Sequence, residues 1–212
     1  RIKEVVESGP YDFISVDSQH SPLSEERLVA FCGLCAELDV FVQFRIKHTH
    51  NAYLIGNYLD LGPCGVEVPQ TELDETVSEA LNSFYFPPEG GRSFGGRARR
   101  GVSDHPDPVD YGAWWNTFGI LWMQIESVES VTRAHILAKP SVDCLSFGPT
   151  DLMFSLMGHP NHQLKTVDDC VAYVARSLEG SGVAVCHRIG SSENRKKYAD
   201  MGVTVILENA NV

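Results

Sequence analysis

The chain is short of positive charge: its 212 residues carry 17 Lys and Arg against 28 Asp and Glu, a formal net charge of −11. Phosphate binding needs a net basic surface, so nucleic acid is excluded as the main partner, and an anionic membrane surface with it. Long apolar runs are missing too, since none approaches the roughly 20 residues that span a bilayer. Cysteine is sparse, with six residues in a chain of this length, too few for a disulfide scaffold. Cys32 and Cys35 form a CxxC, but no second pair stands at zinc-ribbon spacing. Both fall in a helical pattern and read as small buried residues. No G-x-G-x-x-G follows an early strand, which leaves a Rossmann or flavodoxin-like sheet as the second choice of fold. No signal peptide is visible, the chain opening on Arg-Ile-Lys in a stretch that already reads as helix. A reducing cytoplasm is the expected location.

What is present is alternation. At 43% hydrophobic residues the chain can bury one full core as a single domain. Apolar, β-branched runs of strand length occur at 13–16, 40–46, 65–68, 120–125, 142–147, 183–186 and 203–207. Helical periodicity fills 25–38, 52–61, 73–84, 128–139, 167–180 and 193–201, and Ser24 and Thr166 stand where N-caps belong. Repeated strand–helix units with strands buried on both faces predict a parallel α/β sheet. Seven such units fall one short of a (β/α)8 barrel, and the simplest account puts the first strand upstream of Arg1. One connection differs: about 87–119 is rich in Gly, Pro and Arg, with little periodicity. Arg92, Arg97, Arg99 and Arg100 make it locally basic, so it reads either as a solvated or subunit-contacting loop or as a lid drawing in an anionic substrate.

Three segments carry most of the chemistry: D-F-I-S-V-D-S-Q-H ending at His20, W-M-Q-I-E-S around Glu126, and C-L-S-F-G-P-T-D-L around Asp151. Each is a strand-length apolar run finishing on a carboxylate or a carboxylate–histidine pair, and strand ends are where α/β enzymes gather charged groups. Glu126 and Asp151 close consecutive strands without a cysteine or histidine beside them. That is a hard oxygen pair, suited to Mg²⁺ or Mn²⁺ with several waters retained. Arg45 offers a planar fork for a carboxylate or oxyanion. His20, oriented by Asp17, is placed as a base near neutral pH. His187 ends a later strand. His48 and His50 alternate after another, which would turn them opposite ways in an extended chain; His159 and His162 read as loop residues.

These residues bring the chain close to a known family. It resembles the HpcH/HpaI aldolases, metal-dependent class II enzymes acting on pyruvate or oxaloacetate. The family's D-x-E-H, R-x-P, L-D-x-G-x-x-G-[IV]-x-V-P, Y-P-P-x-G-x-R-G, Q-x-E and G-P-x-D-L motifs have counterparts here. They read D-S-Q-H (17–20), F-R-I (44–46), L-D-L-G-P-C-G-V-E-V-P (59–69), F-P-P-E-G-G-R-S (86–93), Q-I-E (124–126) and G-P-T-D-L (148–152), in order along nearly the whole chain. Gln19 stands where the family commonly has Glu. The chain also stops without the family's final helix.

The resemblance implies a (β/α)8 barrel, here without its first strand and last helix, in a homo-oligomer: a hexamer, or trimer of dimers, that exchange a C-terminal helix. It implies a divalent metal, Mg²⁺ or Mn²⁺ with Co²⁺ suiting the same ligands, on Glu126 and Asp151. Arg45 then holds the keto-acid oxygens, His20 is the base with Asp17 as its partner, and Asp60 reaches a neighbouring subunit's site. Gln124 and the Gly148, Pro149, Thr150 and Asp151 turn hold the substrate, the turn's amides binding the pyruvate carboxylate. The implied reaction cleaves or forms a 4-hydroxy-2-keto acid from pyruvate or oxaloacetate and an aldehyde acceptor. Oxaloacetate decarboxylation, enolate condensation and non-catalytic keto-acid binding are the alternatives.

Overall fold

Strand–helix succession governs the whole architecture. The computed structural model describes residues 2–9 and 11–209, and its chain divides by packing into two compact units. One comprises residues up to Val68 together with Ser78–Leu121, the other Pro69–Val77 together with Trp122–Asn209. Among the described residues no helix is long and apolar enough to cross a membrane.

In the first unit, helix α1 (Ile2–Glu7) precedes strand β1 (Phe13–Asp17), helix α2 (Glu25–Glu37) and strand β2 (Phe41–Arg45). A 3₁₀ turn over Thr49–Leu54, helix α3 (Ile55–Leu59) and strand β3 (Gly65–Val68) follow. Ser24 caps α2 by accepting from the Arg27 amide, and Glu25 and Glu26 favour its N-terminal dipole. β1 pairs with β2 and β2 with β3, both parallel. Their side chains divide by parity. Ile14, Val16, Val42, Phe44 and Val66 occupy one face, while the other carries Ser15 and Asp17 beside Gln43 and Arg45, then Gly65 and Glu67. Gly65 is obligatory, since a Cβ there would lie 2.1 Å from the Gln43 side-chain oxygen and 2.5 Å from the Ile120 carbonyl.

Helix α4 (Asp74–Phe84) leads into the Gly/Pro/Arg segment, where the structure corrects the sequence reading. The last third of 87–119 is a helix, α5 (Pro108–Phe118), with Pro at its first position and Asp107 accepting from the Val109 and Asp110 amides. The arginines are not a basic lid. Arg92 and Arg99 are buried, the first stacked between Phe86 and Trp115 and the second on Phe94 and Tyr111. Arg100 bonds Asp39, and only Arg97 of the four is exposed. Tyr111 and Trp115, both fully buried on α5, supply the aromatic walls.

Strand β4 (Ile120–Ile125) begins in the first unit, the Ile120 amide donating to the Cys64 carbonyl at 3.3 Å. The second unit continues with helices α6 (Val128–Thr132) and α7 (Ala134–Leu137), strand β5 (Cys144–Phe147), helices α8 (Pro149–Gly158) and α9 (Val167–Ser177), strand β6 (Ala184–Ile189), helix α10 (Arg195–Asp200) and strand β7 (Val205–Glu208). The stretch 128–139 is two short helices, not one, parted at Arg133, whose backbone leaves the helical region at φ −102° and ψ 10°. Thr166 and Asp169 cap α9 reciprocally. β4 through β7 pair in parallel, and strand order follows chain order from β1 to β7. A doubly wound sheet would reverse that order at a switch point; unbroken chain order with intervening helices belongs to the (β/α)8 barrel class, here with seven strands. The same parity holds: Met123, Ile125, Leu145 and Phe147 pack one face, and Gln124, Ser146 and Cys186 share the other. All six cysteines are buried and free, as the reading of the CxxC expected.

Candidate active site

At the C-terminal ends of β1 and β2, register sets Asp17 beside Arg45, and Arg45 beside Glu67 of β3. Arg45 grips Asp17 with two parallel bonds, Nε to Oδ1 at 2.9 Å and Nη2 to Oδ2 at 2.7 Å. The Gln19 amide donates to the same Oδ1 at 2.8 Å. Burial works to raise the Asp17 carboxyl, but the Arg45 bonds and charge, with the Gln19 amide, outweigh it and hold the group below its ordinary range. Ser18 ties this turn down, its hydroxyl donating to the Arg45 carbonyl at 2.7 Å. His20 lies on the exposed side of the turn and couples to Asp17 through charge. Asp17 is thus engaged by Arg45, where the sequence reading gave it to His20. Glu67, fully buried on the same face as Arg45, was missed; an acid between Val66 and Val68 was its signal.

Asp60 follows α3 and meets the buried arginine segment. Arg92 Nη2 donates to Asp60 Oδ1 at 2.9 Å, while Arg92 Nε and Nη1 are buried without hydrogen-bond partners. Burial pushes the Asp60 carboxyl above its usual value despite Arg92, and lowers the Arg92 guanidinium. Two separate motifs, L-D-L-G and F-P-P-E-G-G-R, therefore join through one ion pair.

The second unit holds the two candidate metal ligands. Glu126, 6% exposed, ends β4, and its Oε1 accepts from the Gln70 amide at 2.9 Å. Gln70 sits at φ 49°, an unfavourable left-handed conformation that a non-glycine residue adopts only where its surroundings enforce it. The Thr71 amide donates to the Gln124 carbonyl at 2.8 Å, fastening the same loop along β4. Across from it, a Cβ on Gly148 would fall 2.0 Å from Glu126 Oε2 and 2.9 Å from Gln124 Nε2. Only glycine lets the β5–α8 turn pass over these two side chains. Asp151 is exposed in the first turn of α8, where amides lack intrahelical acceptors. No group of three or more His, Cys, Asp or Glu able to hold a metal occurs among the described residues. What exists is two hard carboxylates, one aimed by a backbone amide, and that donor set fits a cation which keeps most of its waters.

Beside the α8 start lies a cleft of about 340 Å³, lined by Pro149, Thr150, Met153, His187, Arg188 and Tyr198 among others. His187 is 2% exposed, its ring 4.1 Å from that of Tyr198, with Nδ1 lacking a hydrogen-bond partner. Burial drives it down to about 4, so it is neutral at pH 7. The strand runs past it to Ile189, putting Arg188 two residues beyond Cys186 on the Gln124 and Ser146 face. Arg188 too was missed, although H-R inside an apolar run was legible. Other histidines have local roles. His48 and His50 are not extended: their rings touch at 4.6 Å and the His50 amide donates to His48 Nδ1. His159 contacts Ser155 and Glu129.

The family model of HpcH/HpaI aldolase/citrate lyase matches residues 2–206. A hydroxypyruvate/pyruvate aldolase of Delftia acidovorans is 28% identical over 96% of this chain and 75% of its own. A 5-keto-4-deoxy-D-glucarate aldolase of Shigella boydii is 25% identical over 96% and 78%. The crystal structure of an HpcH/HpaI aldolase from Desulfitobacterium hafniense superposes with a TM-score of 0.84 at 26% identity, over 98% of this chain and 80% of the other. Motifs in order, strands in barrel order and a match along nearly the full length give one answer: the chain belongs to the HpcH/HpaI aldolase/citrate lyase family and is an enzyme of the aldolase class.

Proposed function

We propose that the chain is a divalent-metal-dependent aldolase that cleaves or forms a 4-hydroxy-2-keto acid through the enolate of pyruvate. The observation that carries this is Glu126, fixed by the Gln70 amide and packed under Gly148 at the start of the helix bearing Asp151. Glu126 and Asp151 would hold Mg²⁺ or Mn²⁺, supplying Lewis-acid stabilisation of the charge that develops on the 2-keto oxygen. First-turn amides of α8 receive the donor's carboxylate. The Arg45 guanidinium, its Nε–Nη2 fork bonded to Asp17, lends its positive charge to the enolate oxygen. Its bond to Asp17 holds that fork in one rotamer and keeps Asp17 ionised at neutral pH.

In the cleavage direction His20 takes the proton of the 4-hydroxyl. The electron pair forms the aldehyde C=O, the C3–C4 bond breaks, and the released pair becomes the enolate, later protonated at C3 to pyruvate. Asp17, held in place by Arg45, is the charged neighbour of that base. A second reading, oxaloacetate decarboxylation or enolate condensation, draws on Gln19. It removes the negative charge the family commonly carries next to the base, and its Oε1 is buried without a hydrogen-bond partner.

Exchange of pyruvate methyl protons into D₂O, followed by NMR with EDTA and then with added Mg²⁺ or Mn²⁺, tests the proposal. Exchange only with metal is the expected result. No exchange with any metal, from folded protein, moves the reading to decarboxylation, which the same sample tests with oxaloacetate.

A further inference from the structure

The turn between β3 and α4 is fastened at more points than a connection of its length needs. The Thr71 amide donates to the Gln124 carbonyl at 2.8 Å, and the Thr71 hydroxyl faces Met123 Sδ at 3.8 Å. Farther along, Arg133 Nη1 donates to the Glu72 carbonyl at 3.1 Å, and Lys139 Nζ meets Asp74 Oδ1 at 2.8 Å. Pro69 and Thr71 are buried on either side of Gln70, which is itself exposed. With both neighbours pinned, Gln70 is forced to φ 49°, a conformation that persists only where the surroundings over-determine it. What the strained residue delivers is its amide, which donates to Glu126 Oε1 at 2.9 Å.

That bond makes the two oxygens of Glu126 unlike. Oε1 faces a neutral donor that cannot move away, whereas Oε2 turns toward the Gly148 backbone, 2.0 Å from where a Cβ would stand. A carboxylate chelates a cation through both oxygens only when both can turn toward it. Glu126 therefore presents one oxygen in one direction. Ca²⁺ takes roughly six to eight oxygens in irregular geometry and makes ready use of two-oxygen carboxylates. Mg²⁺ demands octahedral positions, takes single oxygens from its carboxylates and keeps several waters.

We infer that Gln70 is a positioning residue that selects the metal through Glu126: its backbone amide confines the carboxylate to single-oxygen coordination, which favours Mg²⁺ and Mn²⁺ and disfavours Ca²⁺. The inference rests on Glu126 and Asp151 holding the metal, as proposed above. The role belongs to the main chain of Gln70, so it depends on an N–H at this position and on a residue that can keep the left-handed conformation.

Mn²⁺ binding followed by electron paramagnetic resonance, with Mg²⁺ and Ca²⁺ as competitors, tests this in the wild type, Gln70→Pro and Gln70→Gly. The wild type should prefer Mg²⁺ to Ca²⁺. Gln70→Pro has no N–H and cannot reach φ 49°. It should weaken Mg²⁺ about 10- to 100-fold, the range for losing an outer-sphere partner of a metal ligand, and Ca²⁺ much less, so that the preference collapses. Gln70→Gly keeps the N–H and adopts the left-handed conformation freely, and should retain the preference for Mg²⁺. General loss of structure would weaken both cations together, so the ratio separates positioning from folding. An unchanged ratio in Gln70→Pro, a lost preference in Gln70→Gly, or a wild type that prefers Ca²⁺ overturns the role. If Gln70→Pro does not fold, hydrogen exchange in protein labelled with ¹⁵N-glutamine decides. The Gln70 amide should be protected in the wild type although the residue is exposed, and unprotected in Glu126→Ala; fast exchange in the wild type overturns the role. Wild-type protein that binds no Mn²⁺ would take the metal away from Glu126 and Asp151 altogether. Metal binding without pyruvate exchange would withdraw the aldolase reaction and leave the Gln70 assignment to stand on the metal ratios.

Discussion

Single atoms decide whether Glu126 can act. One oxygen is taken by the Gln70 amide and the other lies where a Gly148 side chain would be. Glu126→Gln and Asp151→Asn should each lower metal-dependent activity by at least about 100-fold, more than the 10- to 100-fold typical of losing an outer-sphere partner. Gly148→Ala should approach the same loss while adding no charge, because the new methyl must push the carboxylate aside. Steady-state rates across a metal titration check all three, with circular dichroism confirming that the fold is kept; wild-type rates in any of them would remove Glu126 and Asp151 from the site. Asp17, Arg45, Glu126 and Asp151 were legible in the sequence because each closes an apolar run on a motif. Glu67 and Arg188 were not drawn from it, since their importance depends on which face of the strand they occupy. Parity settles that only once the neighbouring strand fixes the register.

At the scale of elements, length and periodicity gave the strands well, and the two helices that escaped are α5 and α8. α8 follows β5 after a single glycine, so its apolar residues merge with those of the strand. α5 sits behind a stretch whose Gly, Pro and Arg content masks the Asp107–Pro108 start signal. Composition also misplaced the arginines of that stretch, because a guanidinium sandwiched between rings is a core group that looks like a surface one. Limited trypsin digestion separates the two pictures. Cleavage after Arg97 should come first, with the bonds after Arg92 and Arg99 cut only on global unfolding. Equal early cutting at all of them would mean the segment is open.

For the molecule as a whole, acid sensitivity has a named contributor. His187 titrates at about 4 when folded against 6.5 for an ordinary histidine, chiefly through burial. A depressed folded value means stability that is intact above pH 6.5 and lost as pH falls toward 4. The shift corresponds to as much as ~3 kcal/mol. His187→Gln stays uncharged throughout. The stability advantage of wild type over this variant, from urea unfolding, should therefore shrink between about pH 7 and about pH 4; a constant difference would mean His187 is solvated. Asp17 and Asp168 add loss in the same direction at lower pH, their carboxyls being held down by Arg45 and by Lys197, whereas Asp60, raised by burial, works against it. The division of β1, β2, β3 and β5 into an apolar and a polar face bears on how such a protein can diverge. Residues that build the apolar core and residues that carry the polar groups are inherited at alternate positions. A lineage can therefore exchange Gln43 while leaving Phe44 untouched, whereas a single-codon deletion within a strand would interchange the two sets and forfeit both at once.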